Sequence, residues 1–315
     1  MASEHTGVGT YMATLYHPTA SQLNAHEGGI SCVAWGHGLV VTGSADEAVH
    51  SYEVSGAKIE RRHTLPGHEL GVTAVAVAAD VAVAASAALD SRIRVWNLDT
   101  GSLNLEIDCG PMSYGVALSP DGATVAAGSM GGISLWDAAS GSKTASLSIG
   151  SDRIVLCAAI SADGALLAAG AEDGGVHVFE MEAPYQRVAK MEAHAVAVRC
   201  VAFSRDGKTV LSGSEDSRAV LWEAASGRQL YTLQGHGSWV LGAAFSADGS
   251  HVVTCSSDQT VRNWDLTTGA SVQTLADSHS DQAWGVAFDP SGGRFCSVGD
   301  DRAIRVFEAT VAGGE

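Results

Sequence analysis

Apolar residues in this chain come in short runs of four to eight, cut by clusters of Asp, Gly and Ser. Inside the runs the apolar and polar positions alternate with a period of two, as in "VRCVAFS" (Val198 to Ser204), and no helical period appears. The stretch from Val198 to Gly235 shows the grammar. An alternating strand, "VRCVAFS", leads to a turn, "SRDGK", and then to a strand of small residues, "TVLSGSED". The strand "AVLWE", the turn "AASGR" and a fourth strand, "QLYTLQG", complete the unit.

The same order recurs along the whole chain. Third strands ending in an aromatic residue and an acid or amide read "VHSYE", "IRVWN", "ISLWD", "VHVFE", "AVLWE", "VRNWD" and "IRVFE". Their aromatic residues, from Tyr52 to Phe307, stand 44, 40, 43, 43, 42 and 43 residues apart. Four strands per unit and seven units predict an all-β, seven-bladed β-propeller with one continuous ring of core. The last unit runs out after Phe307 without a fourth strand, while "TYMATLYHPT" precedes the first unit unclaimed. Closure is therefore expected from Thr10 to Tyr16, as the outer strand of the last blade, leaving no open edge at the seam. The resulting division is a flexible tail over 1–9, one propeller over 10–310 and a flexible tail over 311–315.

Five units carry a histidine at one position: His26, His68, His194, His236 and His279. The same five carry a hydroxyl four residues before the turn aspartate: Thr42, Ser86, Ser212, Thr254 and Ser297, before Asp46, Asp90, Asp216, Asp258 and Asp301. In units three and four the histidine becomes Cys109 and Ser151 and the hydroxyl becomes Ala126 and Ala169. Partners kept or lost together are what buried hydrogen bonds demand, since one orphaned partner costs about 1–3 kcal/mol and removing both is nearly neutral. A chain from aspartate to imidazole to hydroxyl to indole is expected within a blade, complete with Trp96, Trp222 and Trp264 in units two, five and six. A Ser-His-Asp triad uses the same residue types, but five copies argue for bracing. The histidines stand one per blade, so no metal site is expected, and "SGSKT" (Ser140 to Thr144) lacks the glycines of a phosphate loop. No cofactor is implied and the chain is not expected to be an enzyme.

First strands line the central channel. Counting from the histidine position gives one ring at its mouth: Ser31, Thr73, Tyr114, Leu156, Arg199, Leu241 and Trp284. A second ring includes Met112, Ile154 and Trp239, and a third, just before the turn aspartates, includes Glu172, Glu215 and Asp300. Large apolar groups beside three acids predict a groove for a short partner segment with one basic and one or two apolar side chains. The predicted partner-binding set is Tyr114, Leu156, Arg199, Trp239, Leu241, Trp284, Glu172, Glu215 and Asp300.

Charge narrows the partners. With 18 Lys+Arg against 35 Asp+Glu the formal net charge is −17, so direct binding of nucleic acid or an anionic membrane is not expected. "VAVAADVAVAASAAL" (Val75 to Leu89) is too short to span a bilayer and fits two strands around Asp80. The start shows no secretory pattern. The six cysteines form no C-x-x-C pair and fit small reduced core residues.

Over its whole length the chain resembles the WD-repeat family, with Gly67-His68 before Trp96-Asn97 and Gly235-His236 before Trp264-Asp265. The phrases "GHELGV", "SWVLGAAF", "DQAWGVAF" and "SVGDDRAIRVFE" are similar to those of the small WD-repeat subunit shared by the superkiller (Ski) and polymerase-associated factor (Paf) complexes. That resemblance implies a non-catalytic adaptor, monomeric on its own, in cytoplasm and nucleus. Its implied partners are a helical-repeat scaffold, a helicase and polymerase-associated factors, in exosome-linked 3′-to-5′ mRNA decay and in RNA polymerase II elongation. A structural subunit of another assembly, such as the ciliary axoneme, is the alternative. A cullin-ligase receptor would carry arginine where Ser55, Asp99, Ala139 and Met181 stand, and a G-protein β subunit would carry an N-terminal coiled coil.

Overall fold

A computed structural model describes residues 14–311 except 111 and 193. Alternation of apolar and polar side chains produces 28 strands and, among the described residues, no helix. They form seven four-stranded antiparallel sheets, six of them built from consecutive strands. The stretch around Asp80 becomes the strands Val72–Val77 and Val83–Ala88.

The seventh sheet takes its outermost strand from the start of the chain: Thr14–Gln22 pairs antiparallel with Ile304–Val311. The strand lies further along than the sequence suggests. Its "HPTASQ" half reads as loop because it is polar and holds Pro18. An edge strand has one solvated side and tolerates proline at a bulge, and the register shifts between Pro18 and Ala20. Thr10 to Ala13, also assigned to this strand, fall outside the described residues, as do the tails over 1–9 and 312–315. Val311, placed in the C-terminal tail, pairs with Thr14.

Side-chain amides fasten this closure to the neighbouring blade. Gln273 of blade 6 accepts from the Tyr16 N–H and donates to the Tyr16 carbonyl, both at 2.8 Å. Asn263 donates to the Thr14 carbonyl at 2.9 Å. Buried Tyr16 meets Phe295 edge-on at 4.9 Å.

The core lies between successive blades. Leu39, Val41 and Val49 of blade 1 pack with Val72 and Trp96 of blade 2, and Ile30, Val40 and Tyr52 pack with Val298, Ile304 and Val306 of blade 7. Small second-strand residues permit the approach. A Cβ on Gly213 would lie 2.6 Å from Cys200 Sγ and 2.7 Å from a Val240 methyl. Cys32, Cys157, Cys200, Cys255 and Cys296 are free thiols.

Candidate interaction surface and the buried braces behind it

Each brace is assembled from one repeat. In blade 5, His194 sits in the entry loop, Ser212 on the second strand, Asp216 in the following turn and Trp222 on the third strand. His194 Nδ1 lies 2.9 Å from Asp216 Oδ2, its Nε2 lies 2.8 Å from Ser212 Oγ, and Trp222 Nε1 donates to that Oγ at 2.8 Å. Blade 6 repeats this with His236, Asp258, Thr254 and Trp264 at 3.0, 2.8 and 2.8 Å. Blade 2 repeats it with His68, Asp90, Ser86 and Trp96 at 2.9, 2.8 and 2.9 Å.

Burial pushes the His194 pKa down, and Asp216 offsets this only in part. Burial also pushes Asp216 up, but the His194 hydrogen bond and charge and the Arg218 N–H outweigh it and hold Asp216 below its ordinary value. The imidazole is therefore neutral and the carboxylate ionised, which fixes every proton. Nδ1–H donates to Asp216, Ser212 donates to Nε2, and the indole donates to Ser212.

Blades 1 and 7 keep the first two bonds. His26 bridges Asp46 and Thr42 at 3.1 and 2.8 Å, and His279 bridges Asp301 and Ser297 at 2.9 and 2.7 Å. Tyr52 turns instead to the Ala25 carbonyl at 2.6 Å. In blade 3 the strand pairing puts Ala127 at the hydroxyl's place, not Ala126 as counting back from the tryptophan suggests, because the turn between the second and third strands is one residue shorter. Trp136 Nε1 is buried without a partner among the described residues. The five bracing hydroxyls have 0% exposure and no route to a substrate, which a catalytic nucleophile needs.

The aspartates do more than the sequence pattern reveals. Each also accepts N–H groups from both sides of its turn, as Asp46 does from Glu27 and Ala48. The next residue is left-handed in all five blades: Glu47, Ser91, Ser217, Gln259 and Arg302, with φ from 60 to 71°. A non-glycine there costs about 1–3 kcal/mol, and the carboxylate clamp holds it. Arginines two residues before the aromatic add a further tie: Arg94 to Asp90 at 3.0 Å and Arg305 to Asp301 at 2.7 Å. Their signal was visible in "IRVWN" and "IRVFE".

At the channel mouth, all seven residues of the first ring line one cavity of about 300 Å³, together with Ala45, Gly71, Val72 and Leu89. Tyr114, Leu156, Arg199 and Trp284 are half-buried in its wall, whereas Leu241 is only 5% exposed. Trp284 Nε1 is buried and has no hydrogen-bond partner among the described residues. Trp239, 43% exposed, stands outside this lining, with the Arg199 guanidinium 5.8 Å from its ring centroid.

One of the three acids is taken up within the chain, and Glu172 stays exposed. Glu215 accepts from Arg199 Nε at 2.7 Å and is already neutralised. Glu172 accepts from the Ile154 N–H at 3.3 Å, and Asp300 packs against Gly29. None of the three lines the cavity. The Arg199–Glu215 pair spans neighbouring strands of one blade, a contact that position counting could not assign.

Comparison with known proteins follows the same repeats. The family described as "WD domain, G-beta repeat" matches residues 59–97, 141–180, 185–223, 227–265 and 269–308. The chain belongs to the WD40 family. Residues 98–140, which hold the first three strands of blade 3, fall between the matched segments. The WD40 chain is 33% identical to the WD repeat-containing protein SL1-17 of Schistosoma mansoni, over 93% of this chain and 99% of that one. It is 35% identical to the WD repeat-containing protein VIP3 of Arabidopsis thaliana, over 56% of this chain and 60% of that one. It is 30% identical to the superkiller complex protein 8 of Dictyostelium discoideum, over 28% of this chain and 30% of that one. WD40 propellers are in general non-catalytic scaffolds that bind other proteins in complexes.

Proposed function

We propose that this WD40 propeller is an adaptor subunit that docks a partner's extended segment over its channel mouth. The observation that carries the reading is the convergence of the seven first-strand residues on one cavity. Tyr114, Leu156, Leu89 and Trp284 supply apolar wall, and Trp239 stands exposed nearby. Arg199 already neutralises Glu215, so the apolar wall supplies the main anchor, and exposed Glu172 remains for the partner's basic side chain.

The complexes we assign are the Ski and Paf complexes, with a helical-repeat scaffold, a helicase and polymerase-associated factors as partners in cytoplasm and nucleus. The likeness to superkiller complex protein 8 and the phrases quoted from the sequence support this. A net charge of −17 leaves RNA to those partners. The test is affinity capture from cells with wild type and a Trp239→Ala/Trp284→Ala variant, both checked for native melting and read by mass spectrometry. Wild type recovers those partners and the variant loses them. Recovery of axonemal proteins alone refutes the assignment, and retention by the variant refutes the site.

A further inference from the structure

Away from the channel mouth, a pocket of about 480 Å³ opens where blade 1 meets blade 7. Arg61 reaches it from the outermost strand of blade 1, Lys58–Leu65, and Arg302 from the turn before the third strand of blade 7. His50 and Thr64 share its wall. The chain holds 35 acids and 18 bases, and most of its basic side chains lie within 4 Å of a carboxylate. Among the described residues, neither Arg61 nor Arg302 has a side-chain partner. Two guanidiniums on the wall of one pocket, neither met by a carboxylate of the chain, are available to an anion from elsewhere.

The acids nearby do not supply it. Asp46 is committed to His26 Nδ1 and to the N–H groups of Glu27, Gly28 and Ala48. Glu27 is exposed, without a hydrogen bond from its carboxylate to either arginine.

His50 adds a second, independent requirement. It is 6% exposed and stacks on His26 with ring centroids 4.1 Å apart. Its Nδ1 lies 3.1 Å from Tyr52 Oη and 3.3 Å from the Ala25 carbonyl oxygen. Tyr52 gives its single proton to that carbonyl at 2.6 Å, so Nδ1 must carry the imidazole proton. Nε2 is left as an acceptor with no partner among the described residues, and His50 is part of the pocket's lining. The pocket therefore offers two cationic donors and one buried acceptor.

We propose that this pocket binds an acidic peptide segment of a partner protein, with a carboxylate held between Arg61 and Arg302 and an adjacent N–H donating to His50 Nε2. A peptide places an acceptor carboxylate and a donor N–H side by side. A fully ionised inorganic anion offers acceptors only and leaves Nε2 bare. RNA carries a charge on every nucleotide and meets the repulsion of the whole chain many times over, whereas a short segment with a few carboxylates meets it far less. The pocket shares no lining residue with the mouth cavity, so this is a second docking point, independent of the first.

The test is fluorescence anisotropy on the full chain with a labelled peptide, Gly-Ser-Glu-Asp-Glu-Gly-Ser, and its Gln-Asn-Gln counterpart. The acidic peptide is expected to saturate, to weaken with salt and to bind at least tenfold more tightly than the neutral one. Arg61→Gln/Arg302→Gln, at two exposed positions, should weaken it at least tenfold with unchanged melting, while Trp239→Ala/Trp284→Ala leaves it intact. His50→Phe should weaken it further if that variant folds; the arginine pair decides the matter if it does not. Lack of saturable binding, equal binding of both peptides, or full affinity in the arginine variant overturns the proposal. Competition by inorganic phosphate at the peptide's own concentration would show a small-anion site and overturn it too.

Discussion

Replacing Ser212 by alanine tests the bracing chain where its protons are fully determined. The Ser212 hydroxyl has 0% exposure, accepts from Trp222 Nε1 and donates to neutral His194 Nε2, both at 2.8 Å. Ser212→Ala orphans one buried donor and one buried acceptor at a stroke. At about 1–3 kcal/mol for each orphan, the loss is roughly 3 kcal/mol. For a chain of this size that lowers the melting temperature by about 6 °C. Blade 4 shows that losing the whole set is tolerated, since it has Ser151, Ala169 and Phe179 at the three positions. Adding His194→Ser and Trp222→Phe to Ser212→Ala should therefore cost less than the sum of the three single changes, by about 1–3 kcal/mol. Urea and thermal unfolding, followed by circular dichroism, measure both quantities. A Ser212→Ala loss under about 0.5 kcal/mol, or strict additivity in the combined variant, refutes the network account.

The converse substitution should help, and acid should harm. Ala127→Ser places an acceptor on the face of the orphaned Trp136 Nε1 and should stabilise the protein by about 1 kcal/mol in the same assay; a neutral or negative result means that the indole is satisfied by other means. Burial, then the charges of His26 and Arg61, lowers the His50 pKa to about 4, and burial, then Arg187, does the same for His177. The unfolded chain takes up these protons near pH 6.5 and the folded chain only near 4, so the stabilisation is complete above 6.5 and drains away as pH falls towards 4. Thermal melts should drop by about 5 °C or more between pH 7 and 4.5, and His50→Gln should flatten that slope; an unchanged slope in the variant removes His50 from the account.

The sequence alone determined the sevenfold unit and the brace inside each blade. Histidine and hydroxyl lie 18 residues apart in blade 5, and hydroxyl and indole lie 10 apart. Both separations fall within one strand-turn-strand unit, where a period-two backbone and short turns dictate who meets whom. Repetition then made the pairing visible, because an alanine takes the hydroxyl's place only where the histidine is missing; the strand register moves that alanine in blade 3 from Ala126 to Ala127 and keeps Ala169 in blade 4. The tertiary structure decided what crosses between repeats. Tyr16 meets Gln273 across 257 residues, and Arg61 and Arg302 reach one pocket from the first blade and the last. Ring closure sets those contacts: the missing fourth strand of the last unit announces the seam, but no spacing along the chain says which side chains meet across it. Within the mouth, spacing placed Arg199, Glu215 and Trp239 at one end of the barrel. Only side-chain packing, through a charge-assisted bond stronger than solvation by water at that half-buried site, turned Arg199 onto Glu215 and took that acid out of the partner's reach.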